Sequence, residues 1–308
     1  MPVSPSPSEA EILAFQAICD GFYPPDAVDA PIDTQRRFYD ALCARFDQPS
    51  PAGLRREEGA VGAVPIRRYH PANVRGPALV LYLHGGGFVV GSLDSHDAIC
   101  AELADRTGRE VVAVAYRLAP EHVWPAGFED CRAVLESLLQ EERPLVLAGD
   151  SAGGNLAAGL AISARDRGLT GICGQALIYP GLGGDLVSGS YAEMAQAPGL
   201  TTADVRYYRE ILKAPEDLPA AMPLRAPSFA GLPPAYITAA HFDPLRDDAR
   251  LYAGRLAADG VDVTFREEPQ MVHAWLRARH MSPGAKAGFS ALCEGLAALC
   301  QRGEAGGA

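Results

Sequence analysis

The chain has 308 residues, 48% hydrophobic and 21% charged, enough to bury a large core in one α/β domain with a small attachment. Its formal net charge of -11 argues against nucleic acid or an anionic membrane as a partner. No stretch approaches the ~18 apolar residues of a membrane span, so stable membrane insertion is not expected. Seven cysteines, scattered from Cys19 to Cys300 without a C-x-x-C pair, fit reduced thiols in a cytoplasm and not a zinc site.

The opening "MPVSPSPSEA" has no basic residue and no apolar run, so it does not read as a signal peptide, and a cytoplasmic location is expected. After the "SPSPS" lead, Glu9 to Asp20 and Thr34 to Phe46 carry apolar residues at three- and four-residue spacings and predict helices. A Pro-rich link, "YPPDAVDAP", separates them. "GAVPIRRYHP" predicts a strand.

From there a regular rhythm begins. Short apolar runs of strand length occur at Ala78 to Leu83, Glu110 to Tyr116, Pro144 to Ala148, Gln175 to Tyr179, Ala235 to Thr238 and Val261 to Arg266. Helical patterns fall between most of them, as at Asp97 to Thr107, Phe128 to Gln140 and Leu156 to Arg167. Continuous apolar strands alternating with helices predict a mostly parallel sheet covered on both faces. Gly181 to Pro234 breaks the rhythm: it is long, rich in Gly and Pro, and carries two possible short helices, "TTADVRYYREIL" and "APEDLPAA". A connection of that length is usually functional. Residues 1–50 and 181–225 are therefore expected to form a small helical cap over a core built from 51–180 and 226–308.

Within "LVLAGDSAGGNLAAGL" a strand, a tight turn and an Ala/Leu helix follow one another, and Gly149-Asp150-Ser151-Ala152-Gly153 matches G-x-S-x-G. Such a turn projects the serine hydroxyl above the sheet, and side chains two residues either way would collide with strand or helix. The other reading is a glycine-rich helix start with a surface serine. Upstream, "LYLHGGGFVVGS" puts Gly85, Gly86 and Gly87 directly after a buried strand. Their N–H groups can face an oxyanion from the side opposite Ala152 N–H. No lysine follows at P-loop spacing, which argues against a phosphate cradle. The sequence leaves open which of the three glycines donate.

A serine nucleophile needs a base, and the base needs an orienting acid. His273, in "EEPQMVHAW", follows the last strand, where the order Ser…Asp…His places the base; His280 is the fallback. His84 reads as a brace of the glycine turn. Asp243 comes just after a strand in "AYITAAHFDPLRDDARLY" and is the expected acid. Asp247 and Asp248 open the next helix, where carboxylates cap and pair. Phe88, Val89 and Leu200 read equally as pocket lining and as core, with Phe88 and Leu200 the expected substrate contacts.

"HGGGF", "YRLAPEHVWPA", "GDSAGGN", "DPLRDD" and "VHAW", in that order along essentially the whole chain, resemble the motifs of the bacterial hormone-sensitive-lipase-like branch of the α/β-hydrolases. The resemblance implies a capped α/β-hydrolase fold and hydrolysis of short- to medium-chain carboxylic esters without cofactor or metal. It puts the nucleophile on Ser151, the acid on Asp243, the base on His273 and the oxyanion donors on Gly85-Gly86-Gly87 and Ala152. Arg117 and Glu121 are expected to pair and hold their loop. An amidase, lactonase, acyltransferase or peptidase shares the triad chemistry, and a ligand-binding protein of the same fold, as in gibberellin receptors, is a rival of another class. A homodimer through an edge strand, with "VDVTFR" the candidate, also stays open.

Overall fold

The computed structural model describes residues 6–24, 27 and 30–306; the start of the "SPSPS" lead and part of the Pro-rich link lie outside the described residues. Two helices come first, α1 (Ala10–Asp20) and α2 (Ile32–Arg45). An antiparallel hairpin follows, β1 (Arg55–Val61) and β2 (Val64–His70), joined through Gly62 at φ +59°. The first of these strands was not expected. "RREEGAV" is charged and almost wholly exposed, so no apolar period marks it, and pairing with β2 alone makes it a strand.

The alternating part runs β3 (Leu79–Leu83), α3 (Asp97–Thr107), β4 (Glu110–Val114), α4 (Ala126–Leu139), β5 (Leu145–Asp150), α5 (Ala152–Asp166) and β6 (Ile172–Ile178). The chain then forms α6 (Gly189–Glu193) and α7 (Thr202–Leu212) before β7 (Ala235–Phe242), α8 (Arg246–Ala258), β8 (Val263–Val272) and α9 (Pro283–Gly306). The eight strands make one sheet in the order β1-β2-β4-β3-β5-β6-β7-β8, parallel from β4 onward. The expected α/β-hydrolase architecture, a mostly parallel sheet flanked by helices, is what the chain adopts.

Strand β3 explains why apolar runs were legible without alternation. Val80 and Tyr82 point into one core, against α3 and α9, while Leu79, Leu81 and Leu83 point into the other, against α4 and α5. Both faces are dry, so every position is apolar. The order β4-β3-β5 reverses direction at β3, which opens a crevice at the carboxyl ends of β3 and β5.

In the long connection, α7 starts on a capping box. Thr201 Oγ1 accepts from Asp204 N–H at 3.1 Å and Asp204 Oδ2 accepts from Thr201 N–H at 2.8 Å. The second expected helix, "APEDLPAA", does not form; 214–221 runs as turns and is followed by a short 3-10 turn, Pro223–Arg225. Pro219 removes the N–H that a helix here would give to the Pro215 carbonyl, and its ring clashes with that carbonyl. None of the helices among the described residues is long and apolar enough to cross a membrane.

Candidate active site

Ser151 sits between the end of β5 and the first turn of α5 with φ +54° and ψ -116°, a conformation that strains any side-chain-bearing residue. The strain is held from both sides: Ser151 N–H donates to Ile178 O at 2.9 Å, and the Asn155 side chain donates to Gly181 O at 2.8 Å and Ala221 O at 2.9 Å. The flanking glycines are a steric necessity. A Cβ at Gly153 would stand 1.9 Å from Leu83 O, and one at Gly149 would stand 2.4 Å from Gly153 O. Helix α5 can approach β3 and β5 this closely only without side chains there.

His273 follows β8 and Asp243 follows β7, so adjacent parallel strands deliver both to the same edge of the sheet. Asp243 is fully buried, and its Oδ2 lies 2.7 Å from His273 Nδ1 while Oδ1 accepts from Leu245 N–H at 2.8 Å. On the other side of the ring, His273 Nε2 lies 2.9 Å from Ser151 Oγ. Three residues expected from sequence thus form one continuous hydrogen-bonded chain. His280, the fallback base, is elsewhere and bonds Glu102 Oε2 at 2.8 Å.

The glycine turn after β3 is anchored by Asp150, which sequence reading passed over. Asp150 Oδ1 accepts from Gly85 N–H at 3.0 Å and from Tyr82 Oη–H at 2.8 Å, and His96 Nε2 faces it at 3.4 Å. Burial opposes its ionisation, but the facing His96 ring, the Tyr82 hydroxyl and the Arg277 charge outweigh burial and hold the carboxyl well below the usual carboxylate range. One expectation is corrected here: Gly85 N–H is committed to Asp150 and is not free to donate to an oxyanion. Gly86 N–H and Gly87 N–H have no hydrogen-bond partner among the described residues, and Ala152 N–H is an orphan donor of the first turn of α5. His84 does brace the turn: its Nδ1 lies 2.9 Å from Gly85 O, its ring stacks on Tyr116 at 4.2 Å, and burial lowers its pKa to about 3, so it is neutral.

A cavity of about 420 Å³ opens above Ser151 and His273. Its wall includes Phe88 and Leu200, as expected, together with Phe15 from α1, Leu42 from α2 and Tyr208 from α7. Val89 instead packs into the core with Val90 and Ala119. The wall is mostly apolar, which suits an acyl chain.

Two supporting contacts differ from expectation. Arg117 pairs with Asp130 at 2.8 Å, and Glu121 pairs with Arg36 of α2 at 2.7 Å, so the loop is tied to two different helices and not to itself. Asp247 pairs with Arg246 and Arg250, as a helix-opening carboxylate should. Asp248, in contrast, is buried and reaches across to the loop after β6. Its Oδ2 accepts from Leu182 N–H at 2.6 Å, Gly184 N–H at 3.3 Å and Tyr191 Oη–H at 3.0 Å. Burial pushes its pKa up to about 6.

Comparison with known proteins agrees with this geometry. Residues 80–277 match the model of a family described as having the alpha/beta hydrolase fold. The chain is 40% identical to the esterase LipI of Mycobacterium tuberculosis over 242 residues, 74% of this chain and 76% of that protein. It is 34% identical to an acetyl esterase of Salmonella schwarzengrund over 276 residues, 84% of each. Among solved structures, the ester-hydrolase EH1AB1 from the metagenome of Lake Arreo, complexed with a derivative of bipyridine phosphonate, superposes with a TM-score of 0.85 at 30% identity, covering 95% of this chain and 98% of that one. The chain belongs to the α/β-hydrolase fold family, in its hormone-sensitive-lipase-like carboxylesterase branch.

Proposed function

We propose that the protein is a serine carboxylesterase of short- to medium-chain acyl esters, working through an acyl-enzyme on Ser151. The observation that carries this reading is the unbroken chain Asp243 Oδ2 to His273 Nδ1 at 2.7 Å and His273 Nε2 to Ser151 Oγ at 2.9 Å, at the floor of a largely apolar cavity. Ser151 Oγ attacks the ester carbonyl while its proton passes to His273 Nε2. Asp243 holds the imidazole and stabilises the imidazolium. Negative charge on the carbonyl oxygen is met by Gly86, Gly87 and Ala152 N–H, aided by the positive end of the α5 dipole. The imidazolium then protonates the departing alkoxide as the C–O bond breaks. Water, deprotonated by His273, attacks the acyl-enzyme and frees the acid and Ser151.

Residues 1–50 and 181–225 act in this reading as a cap that closes the cavity over the sheet, supported by the α1, α2 and α7 side chains in its wall. A cytoplasmic location is supported by seven cysteines that are all unpaired. For a homodimer, the support is β8, the open edge strand, where Phe265 is 38% exposed and a second copy can extend the sheet.

The test pairs p-nitrophenyl butyrate hydrolysis with phosphonate labelling. Stoichiometric label on the peptide holding Ser151, and a fall of at least about 10³-fold in kcat/KM for Ser151→Ala, are expected. His280→Gln serves as the control and keeps its rate. Label confined to another residue, or more than a few per cent of activity in Ser151→Ala, rejects the assignment.

A further inference from the structure

Arg277 lies on a 3-10 turn, Trp275–Ala278, directly after the His273 loop. Its side chain is among the buried ones, only 7% of the residue being exposed. One NH1 donates to Ser95 O at 3.0 Å, and NH2 donates to Tyr39 Oη at 2.8 Å with His96 Nε2 at 3.4 Å. Those partners are a carbonyl, a phenol and an imidazole. No carboxylate among the described residues comes within 4.0 Å of it. Asp150 meets the same imidazole nitrogen and is hydrogen-bonded by Tyr82 and Gly85, so its charge reaches Arg277 without a direct contact. A guanidinium taken out of water without a carboxylate is a poor way to stabilise a fold. The other buried arginines among the described residues each have one: Arg109 has Glu304, Arg246 has Asp247 and Arg279 has Glu102.

What distinguishes Arg277 is its place in the wall of the cavity that also exposes Ser151 and His273. Its Nε–H, one of five donors in the fork, makes no hydrogen bond among the described residues. A second donor borders the same cavity: Gln16 of α1 is 8% exposed, and its Nε2 makes no hydrogen bond among the described residues. One buried amide donor left unpaired, beside a guanidinium Nε–H that also makes no hydrogen bond among the described residues, in a mostly apolar wall, defines the chemistry of what they meet. We propose that this end of the cavity, framed by Arg277, Gln16 and Tyr39, is a subsite for an oxygen acceptor, carboxylate or carbonyl, that the ester substrate carries a few bonds from its scissile bond. Placement follows from the shared imidazole. Arg277 NH2 and Asp150 Oδ1 each lie 3.4 Å from His96 Nε2, and Asp150 immediately precedes the nucleophile. The subsite rests on the esterase reading and adds a substrate class to it.

The experiment compares kcat/KM for matched p-nitrophenyl esters: 4-oxopentanoate against pentanoate for a carbonyl, and the hemi-ester of glutaric acid against hexanoate for a carboxylate. The same comparison on the alcohol side uses 2-oxopropyl butyrate against butyl butyrate. At least one acceptor ester should exceed its alkyl partner by about fivefold or more, mainly through KM, because a site built to donate hydrogen bonds discriminates against a group that cannot accept them. That ratio should collapse toward unity in Arg277→Met, return in part in Arg277→Lys, and fall severalfold in Gln16→Leu. Ratios below about fivefold for every pair in the wild type overturn the proposal. So does a ratio that survives in the variants; if Arg277→Met does not fold, Gln16→Leu decides alone. The carbonyl and carboxylate arms tell which acceptor is preferred. Failure of the esterase reading has a different signature, no turnover of any ester by the wild type.

Discussion

Replacing Asp150 by alanine should loosen the oxyanion turn without touching the triad. The substitution leaves Gly85 N–H and Tyr82 Oη–H without their acceptor, both in buried positions. Each stranded donor costs about 1–3 kcal/mol, so the fold loses roughly 2–6 kcal/mol. For a chain of this size that lowers Tm by roughly 5–20 °C, and the protein stays folded at assay temperature. With Gly85 no longer pinned, Gly86 and Gly87 N–H lose their aim, and loss of a single such donor costs on the order of 10²–10³ in kcat. A fall of about 10–100-fold in kcat with little change in KM is expected, since the turn meets developing charge and not the ground-state ester. Asp150→Asn, which keeps an acceptor oxygen, should fall between wild type and alanine. The depressed carboxyl contributes stability that is present above its ordinary pKa of 3.8 and is lost only in stronger acid, so measurement at neutral pH sees the whole effect. Steady-state kinetics with p-nitrophenyl butyrate and a thermal melt read both consequences. A kcat within about twofold of wild type and a Tm within about 2 °C would refute the anchoring role.

Two further predictions concern the scaffold around the site. Gly153→Ala puts a methyl 1.9 Å from Leu83 O and 2.7 Å from His84 O, backbone atoms of a central strand and its end that cannot swing away. Overpacking of about 1–3 kcal/mol or more follows, seen as a lower Tm and soluble yield; a variant with wild-type Tm and rate shows that the turn has room. Asp248, raised to about 6, binds its proton more tightly folded than unfolded, so its effect on stability worsens as pH rises from 3.8 to about 6 and is constant above that. Relative to Asp248→Asn, the wild type should lose on the order of 3 kcal/mol across that window, measured by urea unfolding at a series of pH values; a pH-independent difference between the two contradicts it.

Much of the architecture was legible because it is local or periodic. The apolar run at Leu79–Leu83 reads as a doubly covered strand from composition alone, and the glycines around Ser151 announce a turn too crowded for side chains. Helix α3 matches its expected limits, Asp97–Thr107, and Gly108 closes it in the left-handed conformation at φ +67°. Where a pattern depends on partners far away, the reading failed or stayed open. "RREEGAV" becomes a strand only against β2, and "APEDLPAA" is broken by Pro219, which its alanines and acids conceal.

By itself the sequence determined which side chains could do chemistry: a serine on a strained elbow, a glycine turn, an acid and an imidazole each just past a strand. Only the tertiary structure decided how they are used. It put Gly85 out of play by giving its N–H to Asp150, joined Arg117 to Asp130 and Glu121 to Arg36, and turned Asp248 inward. It also brought Arg277 and Gln16, 261 residues apart in the chain, to one cavity wall. The reason is physical: residue type and period set what a segment can donate, accept or bury. Which donor meets which acceptor depends on distances that exist only after the strands are in register and the helices packed against them.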